Sequence, residues 1–274
     1  MALVPFPGSK LGTSLYDSPD DDPDLELEEA ADGKMSFLEH LDELRRRLVV
    51  AVSAIGVGFL IAFAFIDRIF AFIMRPLQQI LPAGGKLVYT EPTEAFMLQL
   101  KVAALAGLVI AAPVIMWQLW LFVAPGLYAR EKRFAAPFVL FSTISFVGGA
   151  AFSHYIVFPA AWKFFASFNN DYMQFMPKIS EAFGLYSYMM LAFAVIFQMP
   201  TLVLALARMG VVTAGFLWRH TKYAILIIFI LAAVITPSSD VVNQTLMAGP
   251  MIALYLLSII IAWVFGKKRR TSDD

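Results

Sequence analysis

The sequence predicts an all-α integral membrane protein with six transmembrane helices in a curved bundle and both termini in the cytoplasm. Three observations predict it. Six apolar runs, residues 49–66, 102–123, 134–158, 185–207, 223–235 and 246–265, dominate the chain. Most positive charge collects in alternate gaps between them. Hydrophobic residues make up 59% of the chain and charged residues 15%, with mean hydropathy +0.71, far less polar than a soluble domain.

Five of the six runs reach or approach the roughly 20 residues that a helix needs to cross a bilayer. Lipid offers the backbone no partners, so each run must satisfy its own amides and carbonyls, which selects helix. The fifth run is the exception. At 13 residues it covers about 20 Å against an apolar core of roughly 30 Å. Such a helix must be shielded by protein or thin the bilayer around it. Pro113, Pro137, Pro200 and Pro250 fall within the runs and are expected to bend them, hence the curved bundle.

Orientation follows from Lys and Arg. One set of segments carries Lys10, Lys34, Arg45, Arg46, Arg47, Arg130, Lys132, Arg133, Arg208, Arg219, Lys222, Lys267, Lys268, Arg269 and Arg270, which is 15 of the 21 basic residues. The other set holds Arg68, Arg75, Lys86, Lys101, Lys163 and Lys178. Short basic loops stay in the cytoplasm, so the first set is placed there with both termini.

Residues 1–34 read as a disordered acidic tail, with Asp20, Asp21, Asp22, Asp24, Glu26, Glu28 and Glu29 and little apolar periodicity. Residues 35–266 form the six-span core, and 267–274 a basic and polar tail. The tail at the start lacks the basic start and apolar centre of a signal peptide.

Among the aqueous segments, Ser36 and Glu39 form a capping box, and Phe37, Leu38, Leu41, Leu44 and Leu48 recur at helical spacing. This predicts an amphipathic helix in the cytoplasmic interface, with Arg45–Arg47 near anionic headgroups. Residues 67–96 predict a short amphipathic helix around Ile69, Phe70, Phe72 and Ile73, ending near Pro76. Residues 159–184, rich in aromatics (Trp162, Phe164, Phe165, Phe168, Tyr172, Phe175), suit a headgroup interface. Together these predict a structured external lid.

The gap Phe122-Val-Ala-Pro-Gly-Leu-Tyr-Ala-Arg-Glu-Lys-Arg133 turns at Pro125-Gly126 and holds Glu131 among three cations. As a bare residue, Glu131 reads as a solvated ion pair worth about 0–1 kcal/mol, or as a carboxylate that receives a cationic ligand. Gln198 falls in the middle of the fourth run, just before Pro200. An amide there must face protein or water, and a single interhelical hydrogen bond worth about 1 kcal/mol accounts for it.

Several chemistries are excluded. The chain has no phosphate-binding Gly-rich loop, no H-E-x-x-H and no G-x-S-x-G, so no enzyme activity is expected. It has no Cys, and His40, His154 and His220 show no ligand spacing, so neither metal nor cofactor is expected. No nucleic-acid partner is expected either. The residues alone leave a channel, transporter or receptor. A secondary transporter would show paired broken helices and a midplane site, whereas no internal repeat is present; an intramembrane hydrolase would show a nucleophile.

Three segments carry a resemblance. Phe37-Leu-Glu-His-Leu-Asp-Glu-Leu-Arg-Arg-Arg-Leu48 resembles the amino-terminal motif of the TatC family, the multispanning subunits of the twin-arginine protein translocase. The gap from Phe122 to Arg133 is similar to that family's first cytoplasmic loop, and Ile235-Thr-Pro-Ser-Ser-Asp240 with Gln244-Thr-Leu to its last external turn. The resemblance covers about residues 35 to 265 and leaves the acidic tail without an inherited role.

The resemblance implies a receptor for the paired-arginine signal peptides of folded precursors, in a transport process driven by the proton gradient. By analogy Glu131 accepts a signal arginine, with Phe122 lining the site and Glu43, Arg45 and Arg47 at its amino-terminal part. An arginine fork bonds a carboxylate bidentately where lysine is a point charge, which suits a requirement for arginine. Gln198 matches a position associated with contacts to single-span TatA-like and TatB-like partners; an amide there does not carry a proton. Pro76 and Asp240 resemble structural residues of the external cap. A homo-oligomer within a receptor complex and a bacterial inner membrane, with a thylakoid as the alternative, complete the expectation.

Overall fold

The computed structural model describes residues 37–81, 87–123, 135–236 and 240–266. The chain divides into two compact units, Met1–Arg45 and Arg46–Asp274. Of the first, the described residues are the opening turns of a helix.

That helix, α1, runs Phe37–Ala64. The expected interfacial helix and the first apolar run are therefore one element, with no break near Leu48. The reason is local: from Glu39 to Ala64 the sequence has no proline, and its β-branched residues are dispersed. The capping residue Ser36 lies outside the described residues, as do the tails 1–34 and 267–274.

After one turn residue the chain enters α2, Ile66–Gln78. It is strongly amphipathic and buries Ile73, Met74 and Leu77. The sequence places a helix here that stops near Pro76. The helix instead continues through it to Gln78, so Pro76 sits in its last turn. The long helix α3, Glu94–Val123, follows and accommodates Pro113 without interruption.

The third apolar run is longer than its hydropathy suggested. It comprises α4, Ala135–Phe152, a π turn, Ser153–Val157, and α5, Phe158–Ala166. In the π turn the Phe158 N–H bonds to the Ser153 carbonyl, five residues back. Pro159 explains the site: it has no N–H to offer the Tyr155 carbonyl, and the wider turn relieves the ladder there. Pro137 lies in the first turn of α4, where a missing N–H costs nothing, and so bends no span.

The fourth run divides into α6, Ile179–Ile196, and α7, Met199–Arg208. The break at Phe197–Gln198 precedes Pro200, as the sequence suggested. A short α8, Ala214–Arg219, leads to α9, Thr221–Ile235, and α10, Val241–Phe265, closes the described chain.

Among the described residues, five segments are long and apolar enough to span a membrane: Leu41–Ala64, Glu94–Phe122, Ala136–Ala166, Ile179–Arg208 and Val241–Phe265. Helix α9 is apolar but shorter, as the 13-residue run indicated. Two neighbours donate to its backbone: Gln244 Nε2 to the Phe229 carbonyl at 3.0 Å, and Tyr188 Oη to the Val234 carbonyl at 3.3 Å.

Lipid chains are as apolar as leucine, so helix association here rests on close packing more than on the hydrophobic effect. Two glycine contacts show it. A Cβ on Gly58 would lie 2.4 Å from the Gly107 carbonyl oxygen, and one on Gly149 would lie 2.5 Å from the Phe193 carbonyl oxygen. Helix α6 turns Ala182, Phe183, Tyr186, Met189, Met190 and Phe193 inward at three- and four-residue spacing.

The ends of α2, α3, α5 and α6 meet in a cap on one membrane face. Val88 donates to the Pro177 carbonyl and accepts from the Ile179 N–H at 2.9 Å, a single parallel bridge between two loops. The aromatic segment is partly inside this cap. Trp162 is buried, with the Phe165 and Phe175 rings packed edgewise against it, while Phe168 and Tyr172 are exposed. The structured lid is thus present, but Trp162 serves its core and not a headgroup interface.

Candidate functional site

At its end remote from the cap, α3 leads into the loop 124–134. Helix α3 ends there in Trp120-Leu-Phe-Val123. Trp120 is buried and stacks on Phe138 of α4, ring centroids 3.9 Å apart. Phe122, one residue from the helix end, is half-buried. Beside this stack lies a cleft of about 310 Å³ lined by Trp120, Pro137, Phe138, Ala205, Arg208 and Phe265, among others. Its walls are almost wholly apolar. The Arg208 guanidinium lies 5.7 Å over the Phe265 ring, in reach of a cation–π attraction.

The loop holding Glu131 joins α3 to α4, and thus the two helices that supply Trp120 and Phe138. Glu131 itself lies outside the described residues. On α1, Glu43 and Arg47 are four residues apart and share one helix face, while Arg45 is exposed.

Gln198 is half-buried at the break between α6 and α7. Its Nε2 donates to the Ser142 carbonyl at 2.9 Å, and its Oε1 accepts from the Ser142 hydroxyl at 2.8 Å. The same hydroxyl lies 3.0 Å from the Met116 Sδ. One hydroxyl carries one proton, and the amide oxygen is the stronger acceptor. The interhelical hydrogen bond that an isolated midspan amide calls for is therefore present, doubled, between the α6–α7 break and α4.

At the cap, Pro76 lies in the last turn of α2. Asp240 is the N-cap of α10: Oδ2 accepts from the Asn243 N–H at 2.8 Å and Oδ1 from Asn243 Nδ2 at 3.0 Å.

Sequence reasoning missed Glu94. This buried carboxylate, 8% exposed, opens α3. Oε2 accepts from the N–H groups of Thr90, at 2.9 Å, and Glu91, at 3.4 Å, and Oε1 from that of Ser180 at 3.2 Å. It thereby ties the approach to α3 to the start of α6. The signal was available: a carboxylate at the first residue of a helix is favoured by the helix dipole. Its second partner, 86 residues away, was not. The nearby Lys178–Glu91 pair, at 3.8 Å, is exposed and contributes little.

The profile of the family "Sec-independent protein translocase protein (TatC)" matches residues 39–250. This chain belongs to the TatC family. The TatC protein of Desulforapulum autotrophicum is 46% identical over 241 residues, which are 88% of this chain and 89% of that protein. The TatC of Koribacter versatilis is 44% identical over 239 residues, covering 86% and 88%. Among solved structures, a crystal structure of the twin arginine translocase receptor TatC superposes with a TM-score of 0.70 at 35% identity, covering 82% of this chain and 98% of that one. A second, of the same receptor in the detergent DDM, gives 0.72 at 34% identity. The chain is thus a multi-pass membrane protein and a protein-translocase subunit, and it works in a Tat complex with other subunits.

Proposed function

We propose that this TatC-family chain is the receptor for twin-arginine signal peptides in the transport of folded proteins. The observation that carries the reading is where its loop 124–134 is anchored. The loop leaves and re-enters the helix pair whose Trp120 and Phe138 wall the apolar cleft. A signal peptide joins a cationic pair to an apolar stretch. Glu131 takes an arginine in a bidentate pair, Phe122 borders it, and Glu43, Arg45 and Arg47 complete the recognition of the charged part. The cleft beside Trp120 receives apolar side chains of the stretch that follows. A carboxylate near the membrane surface is weakly screened, which strengthens its hold on a guanidinium relative to bulk water.

All six apolar runs span the membrane in this reading, with α9 as the short fifth. Both termini are cytoplasmic, since the basic loops lie on that side. The host membrane is the inner membrane of a bacterium, in keeping with the bacterial relatives. Residues 1–34 are an acidic cytoplasmic tail and 267–274 a basic one. The partners are single-span TatA-like and TatB-like proteins, with further copies of this chain in the receptor complex, and the proton gradient drives transport. Gln198 is the partner contact within the membrane. Because its amide is already engaged by Ser142, a partner helix binds there by exchanging those two hydrogen bonds for its own. Pro76 and Asp240 shape the external cap.

The test is crosslinking of a twin-arginine peptide to the chain in native membranes. Glu131→Ala reduces the crosslink strongly and Glu131→Lys abolishes it, with membrane insertion intact. Full crosslinking in both variants overturns the assignment.

A further inference from the structure

On the cap face, a cleft of about 580 Å³ lies between α2 and the π turn with α5. Two cations stand at it, Arg75 from the last turn of α2 and Lys163 from the last turn of α5. Both are exposed, and no acidic side chain pairs with either among the described residues. Asp67, the acidic residue of α2, lies in the opposite end of that helix, eight residues or about 12 Å away. Gln79 adds an amide to the same wall.

The remainder of the cleft is of another character. Phe72 stacks on His154, centroids 4.3 Å apart, and His154 is buried with Nδ1 3.1 Å from the Tyr186 hydroxyl. The adjacent residue, Tyr155, is 65% exposed, and Ile156 beside it is also exposed. Tyr155 precedes Lys163 by eight residues on a near-continuous helical path, so it lies about 12 Å deeper along the span. The cleft is therefore cationic at the membrane surface and aromatic and apolar below it.

We propose that this cleft holds the headgroup of an anionic phospholipid from the leaflet on the cap side. Arg75 and Lys163 grip the phosphate from two helices, the guanidinium as a fork and the ammonium as a point charge. Gln79 donates to headgroup oxygens, and an acyl chain runs down past Tyr155. Complementarity of charge and depth favours a lipid over a soluble anion: a free phosphate uses the rim and leaves the exposed aromatic wall beneath it uncovered. Basic pockets between spans recognise anionic headgroups on the same grounds. The π turn fits, since such turns recur at functional sites.

The experiment uses the full chain in detergent, loaded with phosphatidylglycerol or phosphatidylcholine, with bound lipid counted by native mass spectrometry. The chain retains phosphatidylglycerol in preference to phosphatidylcholine. Arg75→Gln and Lys163→Gln each lower that retention about fivefold, and together by more than tenfold. Lys178→Gln, which removes a cation from the same face outside the cleft, leaves it unchanged. Arg75→Lys retains more lipid than Arg75→Gln, which guards against loss through misfolding. Three results overturn the proposal: unchanged retention in the double variant, equal loss in Lys178→Gln, or displacement of the lipid by millimolar inorganic phosphate.

Discussion

Gln198 and Ser142 grip each other twice: the amide nitrogen donates to the serine carbonyl at 2.9 Å while the serine hydroxyl donates to the amide oxygen at 2.8 Å. The pair joins α4 to a helix break, where the chain has lost one rung of its own ladder to Pro200. In lipid an unmatched amide has no water to turn to. A double-mutant cycle of Gln198→Ala and Ser142→Ala, read by unfolding in detergent, is expected to give a coupling of about 1 kcal/mol. Additive single effects would mean that the hydroxyl–Oε1 bond contributes nothing, since Ser142→Ala keeps the backbone carbonyl that accepts from Nε2. If a partner helix competes for Gln198, Ser142→Ala also strengthens partner crosslinking at that level, where loss of stability alone would weaken it.

Glu94 makes a second prediction. Its carboxylate accepts from three backbone amides, two in the approach to α3 and one in the first turn of α6. Glu94→Gln keeps the shape but turns an NH₂ toward N–H donors, so at least one of these amides loses its acceptor. The expected effect is a loss of stability, since hydrogen bonds to a charged group are stronger than neutral ones. Hydrogen exchange localises it: the amides of Thr90, Glu91 and Ser180 exchange faster, while those in the middle of α4 do not. Uniform acceleration along the chain would show that Glu94 supports global stability without pinning the cap.

Much of this architecture was legible in hydropathy and charge, because the bilayer forces long apolar runs into helix whatever their neighbours. The break at Pro200, the short α9 and the midspan hydrogen bond of Gln198 all followed from local residue chemistry. What hydropathy misplaced were ends. Residues 159–166 read as an aromatic external segment, yet the helix continues through them, because Pro159 is absorbed by a π turn that no apolar count records. Trp162 looked like an interface aromatic and is core, since its surroundings come from Phe175, beyond a loop. Ser142 was invisible for a different reason. A serine in an apolar run, here one of the cluster Ser142-Thr-Ile-Ser145, satisfies itself on its own helix at little cost, and only the approach of Gln198, 56 residues on, gives it a role. The site residues differ in another way: the N-cap bonds of Asp240 to Asn243 are a local geometry that the resemblance did not specify, whereas the chemistry assigned to Glu131 rests on its loop motif.

Close helix approach supplies a third prediction. At Gly107 an added Cβ would lie 2.5 Å from the Phe59 backbone nitrogen and 2.7 Å from its Cα. Backbone atoms cannot swing aside as a side chain can, so Gly107→Ala must push α1 and α3 apart. The expected loss is about 1–3 kcal/mol, as for overpacked cores. Gly56→Ala, on the same α1 with nothing within 4 Å, is the control and is neutral or slightly stabilising. Equal effects at the two glycines would show that helix propensity, and not the contact, governs both.

The N-cap of α10 gives the last prediction and separates structure from recognition at the cap. Asp240 accepts from the Asn243 N–H through one oxygen and from the Asn243 side chain through the other. Asp240→Ala leaves the Asn243 N–H without that acceptor and is expected to cost about 1 kcal/mol. Asp240→Asn preserves an oxygen for the backbone N–H and, as an equally good N-cap, costs only a few tenths by loss of charge at the helix dipole. Thermal unfolding of the two variants in detergent checks the ranking. Transport assays then divide the roles. If Asp240 acts only by capping, transport falls in Asp240→Ala in step with stability and is retained in Asp240→Asn. A variant Asp240→Asn that folds as the parent does and yet fails in transport would show that the negative charge itself meets a partner on that face.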